Sequence, residues 1–78
     1  MSATTPIINV LIPAYNEEGN IAKVVGAIAD WVHEIIVVDN ASTDATRTVA
    51  EAAGATVLTE PNMGYGNACL KGIDYLSR

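Results

Sequence analysis

The sequence predicts an α/β fold, a parallel three-stranded sheet of order 3-2-1 whose strands alternate with three helices as βαβαβα. Three observations carry that expectation. Three short β-branched runs alternate with three stretches of helical period. The runs are nearly continuous in apolar residues, as strands covered on both faces of a parallel sheet are. Parallel strands joined through helices also cross over right-handed, which places the first strand at one edge of the unit.

The elements follow in order. Ile7-Ile-Asn-Val-Leu-Ile12 is the first strand, bounded by Pro6 and Pro13, with Asn9 its one polar residue. Ile21, Val24, Val25, Ile28 and Val32 recur at the spacing of one helix face, and Asn16 or Asn20 is placed to cap its start. Glu34-Ile-Ile-Val-Val38 is the second strand. Ala45, Val49, Ala52 and Ala53 form a weaker apolar stripe, with Ser42 or Thr43 as cap, Asp44 in the first turn and Gly54 at C′. Thr56-Val-Leu-Thr59 is a shorter third strand. Cys69, Leu70, Ile73 and Leu76 then repeat at helical spacing, which reads Cys69 as a core residue rather than a nucleophile. Repeats, low-complexity tracts and linkers are absent from the sequence, so residues 1–78 read as a single domain. A two-sided sheet of three strands leaves much surface uncovered, which predicts the front of a larger domain.

Composition narrows the function. Half of the 78 residues are hydrophobic and 17% are charged, the reverse of a disordered chain. At this length folding buries only about 60% of the unfolded surface, so stability is marginal. A single cysteine rules out an internal disulfide. Nine acids against four bases leave a net charge of −5, which repels nucleic acid and anionic lipid. Met1–Pro6 has neither the basic nor the apolar region of a signal peptide. No apolar run approaches the ~20 residues of a membrane span. A soluble, cytoplasmic protein is expected.

Ligands of open α/β sheets bind beyond the carboxyl ends of the strands. Pro13-Ala-Tyr-Asn-Glu-Glu18 follows the first strand, Asp39-Asn-Ala-Ser-Thr-Asp44 the second, and Glu60-Pro-Asn-Met-Gly-Tyr-Gly-Asn67 the third. Glu18 and Asp44 are explained by helix N-termini, which favour acids. Asp39 and Asn40 directly follow a hydrophobic strand at the ligand edge, and Tyr15 offers a ring that can stack on a base. Gly64 and Gly66 precede a helix N-terminus, where backbone amides can approach a phosphate or simply make a turn. The pair echoes a G-x-G-x-x-G fingerprint, but Cys69 stands at the third glycine and the loop follows the wrong strand. His33, between helix and strand, reads as a surface residue. Ser42 lacks an activating histidine, and no spacing suits zinc.

Taken together, Val10-Leu-Ile-Pro-Ala-Tyr-Asn-Glu17, Ile36-Val-Val-Asp-Asn-Ala-Ser-Thr-Asp44 and Asn62-Met-Gly-Tyr-Gly-Asn-Ala68 resemble the opening of a family-two, inverting glycosyltransferase of the GT-A fold. The resemblance covers residues 7 to 76 but only the nucleotide-binding front of the family's catalytic domain. It implies a nucleoside-diphosphate-sugar donor of UDP or GDP type, an acceptor such as a polyprenyl phosphate, and Mg²⁺ or Mn²⁺ in the intact enzyme. By the same resemblance Pro13, Ala14, Tyr15 and Glu17 line the base and ribose pocket, and Asp39 and Asn40 close its other side. Gly64, Tyr65, Gly66 and Asn67 lie towards the diphosphate. Many members carry a second aspartate where Asn40 stands, and that group accepts the uracil N3–H. The family's Asp-x-Asp metal motif and general base belong after the next strand, so catalytic and metal residues are expected to be none here.

The expected function is therefore a glycosyltransferase portion, inactive by itself. The alternative is a non-catalytic nucleotide-binding or self-assembling module on the same half-fold. A phospho-acceptor receiver-like domain fits less well, because its aspartate belongs where Thr59-Glu60-Pro61 stands. The first strand, with no lysine to guard its edge, predicts a homodimer or larger even oligomer by antiparallel pairing.

Overall fold

The computed structural model describes residues 7–28 and 30–78, so Met1–Pro6 lies outside it. Strands β1 (Asn9–Ala14), β2 (Glu34–Asp39) and β3 (Thr56–Thr59) alternate with helices α1 (Ile21–Gly26), α2 (Thr46–Ala52) and α3 (Tyr65–Leu76). The sheet is parallel with order β1-β2-β3, which is 3-2-1 read from the other edge. Asn9 to Ala14 pair in register with Glu34 to Asp39, and Ile36 to Asp39 with Thr56 to Thr59.

Alternation along β2 divides the core. Val37 faces a cluster with Ala14, Ile21, Val25 and Ala50, which places α1 and α2 on one side. Ile36 and Val38 face Ala68, with Leu11, Leu58 and Tyr75 around them, so α3 covers the other. Ile36, Val37 and Val38 are each fully buried, worth about 1.5–3 kcal/mol apiece in apolar burial. This is the continuous run of a two-sided strand.

β1 starts and ends two residues later than the apolar run. Ile7 and Ile8 are exposed outside it, and the strand passes through Pro13 to Ala14. The ladder explains why proline is accepted. Ile8 and Ala14 carbonyls take the amides of His33 and Asn40, so even-numbered residues face β2. Pro13 therefore turns its missing donor to the open side, where no ladder bond is lost.

Each helix corrects one expectation. α1 stops at Gly26, short of Val32, and only Ile21 and Val25 enter the core, while Val24 is exposed. A six-residue helix presents a single i,i+4 pair to the sheet. In α2 the buried pair is Thr46 and Ala50, with Val49 and Ala53 beside it, so Ala45 and Ala52 point outward. Thr46 can take a core position because its hydroxyl is fully bonded, as shown below. Gly54, at φ 103°, sits at C′ as the sequence predicts. Its amide bonds the Glu51 carbonyl and that of Ala55 bonds Ala50, closing a Schellman motif.

α3 differs most. Ala68 and Gly72 face the sheet, Cys69 is half-buried rather than core, and Leu70, Ile73 and Leu76 are exposed. The helix lies too close to β1 for anything larger. A Cβ on Gly72 would overlap Leu11 Cδ1 and lie 2.8 Å from Cδ2 and 3.0 Å from Cγ.

Candidate functional site

The loops after β1 and β2 are sewn together at the carboxyl edge of the sheet. The Asn16 amide donates to Ser42 Oγ at 2.9 Å, and Asn16 Oδ1 accepts the Thr43 amide at 2.8 Å. The Glu17 amide donates to Thr46 Oγ1 at 2.8 Å, and Glu18 Oε2 accepts the Ala45 amide at 3.1 Å. Asp44 Oδ1 accepts both the amide and the hydroxyl of Thr46. That hydroxyl bond is the largest of the effects holding the Asp44 carboxyl below its ordinary value. Glu18 and Asp44 are thus structural acids that satisfy the start of α2, as helix-terminal carboxylates do. Neither Asn16, Asn20, Ser42 nor Thr43 caps its own helix through its side chain. Two residues of this clasp, Asn16 at φ 49° and Ala41 at φ 62°, hold left-handed backbone, which costs an alanine about 1–2 kcal/mol.

The loop after β3 hangs on Asn40. This side chain is 6% exposed and donates to the Glu60 carbonyl at 3.1 Å and the Asn62 carbonyl at 2.8 Å. Its Oδ1 accepts the Gly64 amide at 2.9 Å. Gly64 holds φ 132°, a conformation open in practice to glycine alone, and leads directly into α3. Asn67 folds back onto the Met63 carbonyl at 3.1 Å. A Cβ on Gly66 would meet nothing within 4 Å, so no internal packing requires that glycine.

Between these loops lies a cavity of about 160 Å³ lined by Pro13, Ala14, Tyr15, Asn40 and Tyr65. It is below the ~300 Å³ at which pockets for whole small-molecule ligands begin, and so suits one end of a ligand. Two larger open grooves lie at the opposite, amino end of the sheet, around His33 and Glu34. Five of the ten residues singled out in the sequence meet at the small cavity. Glu17, Asp39, Gly64, Gly66 and Asn67 are not among its lining residues. Among the described residues the Asp39 carboxylate is buried and its Oδ1 has no partner. Such a group costs folding free energy unless a ligand or solvent meets it.

A divalent cation does not fit these residues unaided. Among the described residues no three His, Cys, Asp or Glu side chains converge, and Glu18 and Asp44 are already bonded to backbone amides. No described helix is long and apolar enough to cross a membrane. Sequence reasoning missed Thr46, which joins the two loops. The signal was its place two residues after Asp44, the spacing at which an aspartate accepts a backbone amide.

Comparison with known proteins places this architecture. The family model of glycosyl transferase family 2 matches residues 9–77. An uncharacterized glycosyltransferase of Mycobacterium tuberculosis is 44% identical over 66 residues, covering 85% of this chain and 30% of that protein. Protein RfbJ of Shigella flexneri is 50% identical over 62 residues, 77% of this chain and 48% of RfbJ. Among solved structures, glucosyl-3-phosphoglycerate synthase from Mycobacterium tuberculosis superposes with TM-score 0.79 at 34% identity over 88% of this chain. That enzyme was solved with Mn²⁺, UDP and glucosyl-3-phosphoglycerate, and also with Mg²⁺ and UDP. This chain spans 29% of the first of those structures and about a third of the mycobacterial relative. With its parallel GT-A-type sheet and the motifs at its carboxyl edge, the chain belongs to glycosyl transferase family 2.

Proposed function

We propose that residues 1–78 form the nucleotide-binding front of a cytoplasmic glycosyltransferase that takes its sugar from a nucleoside-diphosphate donor. The observation that carries this reading is the cavity at the strand ends, walled by Pro13, Ala14, Tyr15, Asn40 and Tyr65. The loop from Gly64 to Asn67, with its uncrowded Gly66, lies beside it at the start of α3, where backbone amides suit a diphosphate. The solved relative that holds UDP supports the donor class. The acceptor is a hydroxyl or a lipid phosphate of the polyprenyl type.

Among the described residues nothing converges on a metal, and the acidic balance of the sequence opposes an anionic diphosphate. The 78 residues alone therefore bind donor weakly, at about millimolar Kd or −4 kcal/mol, and do not transfer sugar. Titrating the chain with UDP and Mg²⁺ by NMR tests the reading. Shifts are expected at Tyr15, Asp39, Asn40 and Gly64 to Asn67. Micromolar affinity, or shifts clustered elsewhere, refutes the site; metal-dependent turnover lost in Asp39→Ala refutes the inactivity. The open edge of β1, whose Asn9 and Leu11 backbone groups face away from β2, further suggests pairing of two chains, which light scattering on a sizing column reads directly.

A further inference from the structure

The small cavity has two aromatic walls that come from different elements. Tyr15 follows β1 and Tyr65 opens α3, and both line the space above Asn40. Tyr65 is 75% exposed, so its ring gains little from packing within this chain. Cys69, one helical turn further on, pushes its phenol above the ordinary value.

Asn40, the one amide side chain in the lining, has little left to offer a ligand. Both of its amide protons go to carbonyls of the following loop, and its oxygen accepts the Gly64 amide. One lone pair of that oxygen remains. A lone acceptor does not separate uracil from guanine, since uracil N3–H and guanine N1–H each present a donor on the pairing edge. Stacking does not separate them either, because every base has a π-face.

We propose that Tyr65 is the second wall of the nucleobase site. With Tyr15 it grips the base by its faces, and the site accepts UDP and GDP alike. The inference rests on the reading of this cavity as a nucleotide pocket, and it departs from any recognition through the side-chain amide of Asn40.

The test is an NMR titration of the full chain, its Tyr65→Ala variant and its Tyr65→Phe variant with UDP and with GDP in Mg²⁺. The two nucleotides are expected to bind within about fivefold of each other, and Tyr65→Ala to weaken both by about tenfold or more, the loss that removing a stacking ring produces. Tyr65→Phe keeps the ring face and is expected to retain both affinities. A preference of more than about thirtyfold for one nucleotide, or a Tyr65→Ala variant that binds both as the parent does, overturns the proposal and leaves the nucleotide site standing. If neither nucleotide shifts any resonance, the reading of the site falls and this proposal with it.

Discussion

Replacing Asn40 tests how the loop that carries the glycines is held. Asn40→Ala removes two donated bonds, to Glu60 and Asn62, and one accepted from Gly64. At about 0.5–1.5 kcal/mol net per bond the loss is roughly 1.5–4.5 kcal/mol. Asn62 and Gly64 are exposed and can regain water, which favours the lower half of that range, about 2 kcal/mol. A chain of this length has roughly 4–12 kcal/mol of stability in all, so the midpoint should fall by about 8–16 °C. Thermal melts by circular dichroism measure the total, and hydrogen exchange at the Gly64 amide reads the bond itself. Asn40→Asp sharpens the result. It keeps an acceptor for Gly64 but loses both donors and sets a carboxylate against two carbonyls, beside Asp39. It should cost at least as much as alanine while the Gly64 amide stays protected. An Asn40→Asp protein as stable as the parent would refute the view that the two donated bonds hold this loop.

Three further outcomes follow from the packing and charges. Gly72→Ala gains about 1 kcal/mol of helix propensity but overpacks Leu11 by about 1–3 kcal/mol, so urea melts should show net loss, whereas the same substitution made in a Leu11→Ala background should cost nothing further. Thr46→Val removes the acceptor of the Glu17 amide and the hydroxyl that donates to Asp44, two bonds that together should cost about 1–3 kcal/mol, and it should speed exchange at the Glu17 amide. Glu34 Oε2 accepts from Thr56 at 2.7 Å and Tyr75 at 2.8 Å, bonds that lower its carboxyl pKa, while the bond to Glu34 raises that of the Tyr75 phenol. The Glu34 contribution is present above the ordinary carboxylate value of 4.5 and is lost as pH falls through the lowered one. That of Tyr75 is complete below 10.0 and lost as pH rises through the raised value. Tyr75→Phe should therefore move the Glu34 carboxyl, followed by NMR, back up towards 4.5.

Fold class, strand order and the family motifs were legible in the residues themselves. An uninterrupted run such as Ile36-Val37-Val38 admits few readings other than a strand buried on both faces, and right-handed crossovers then fix the neighbours. Gly54 was legible for the same reason, because a helix stop in left-handed backbone is a local requirement. What the tertiary structure alone decided is which side of each helix is inside and which polar groups are already spent. Periodicity points bulky Leu70 and Ile73 inward, yet Ala68 and Gly72 face the sheet because α3 approaches β1 within reach of Leu11. Among the acids at the strand ends, Glu18 and Asp44 read as helix-terminal acids in the sequence, but the sequence does not name their actual partners. Partners 20 to 27 residues away commit Glu18 and the Asn40 amide to loop closure, whereas Asp44 bonds chiefly to Thr46 two residues on. Hydrogen bonds between side chains and distant backbone depend on where the loops meet in space, and residue order does not encode that position locally.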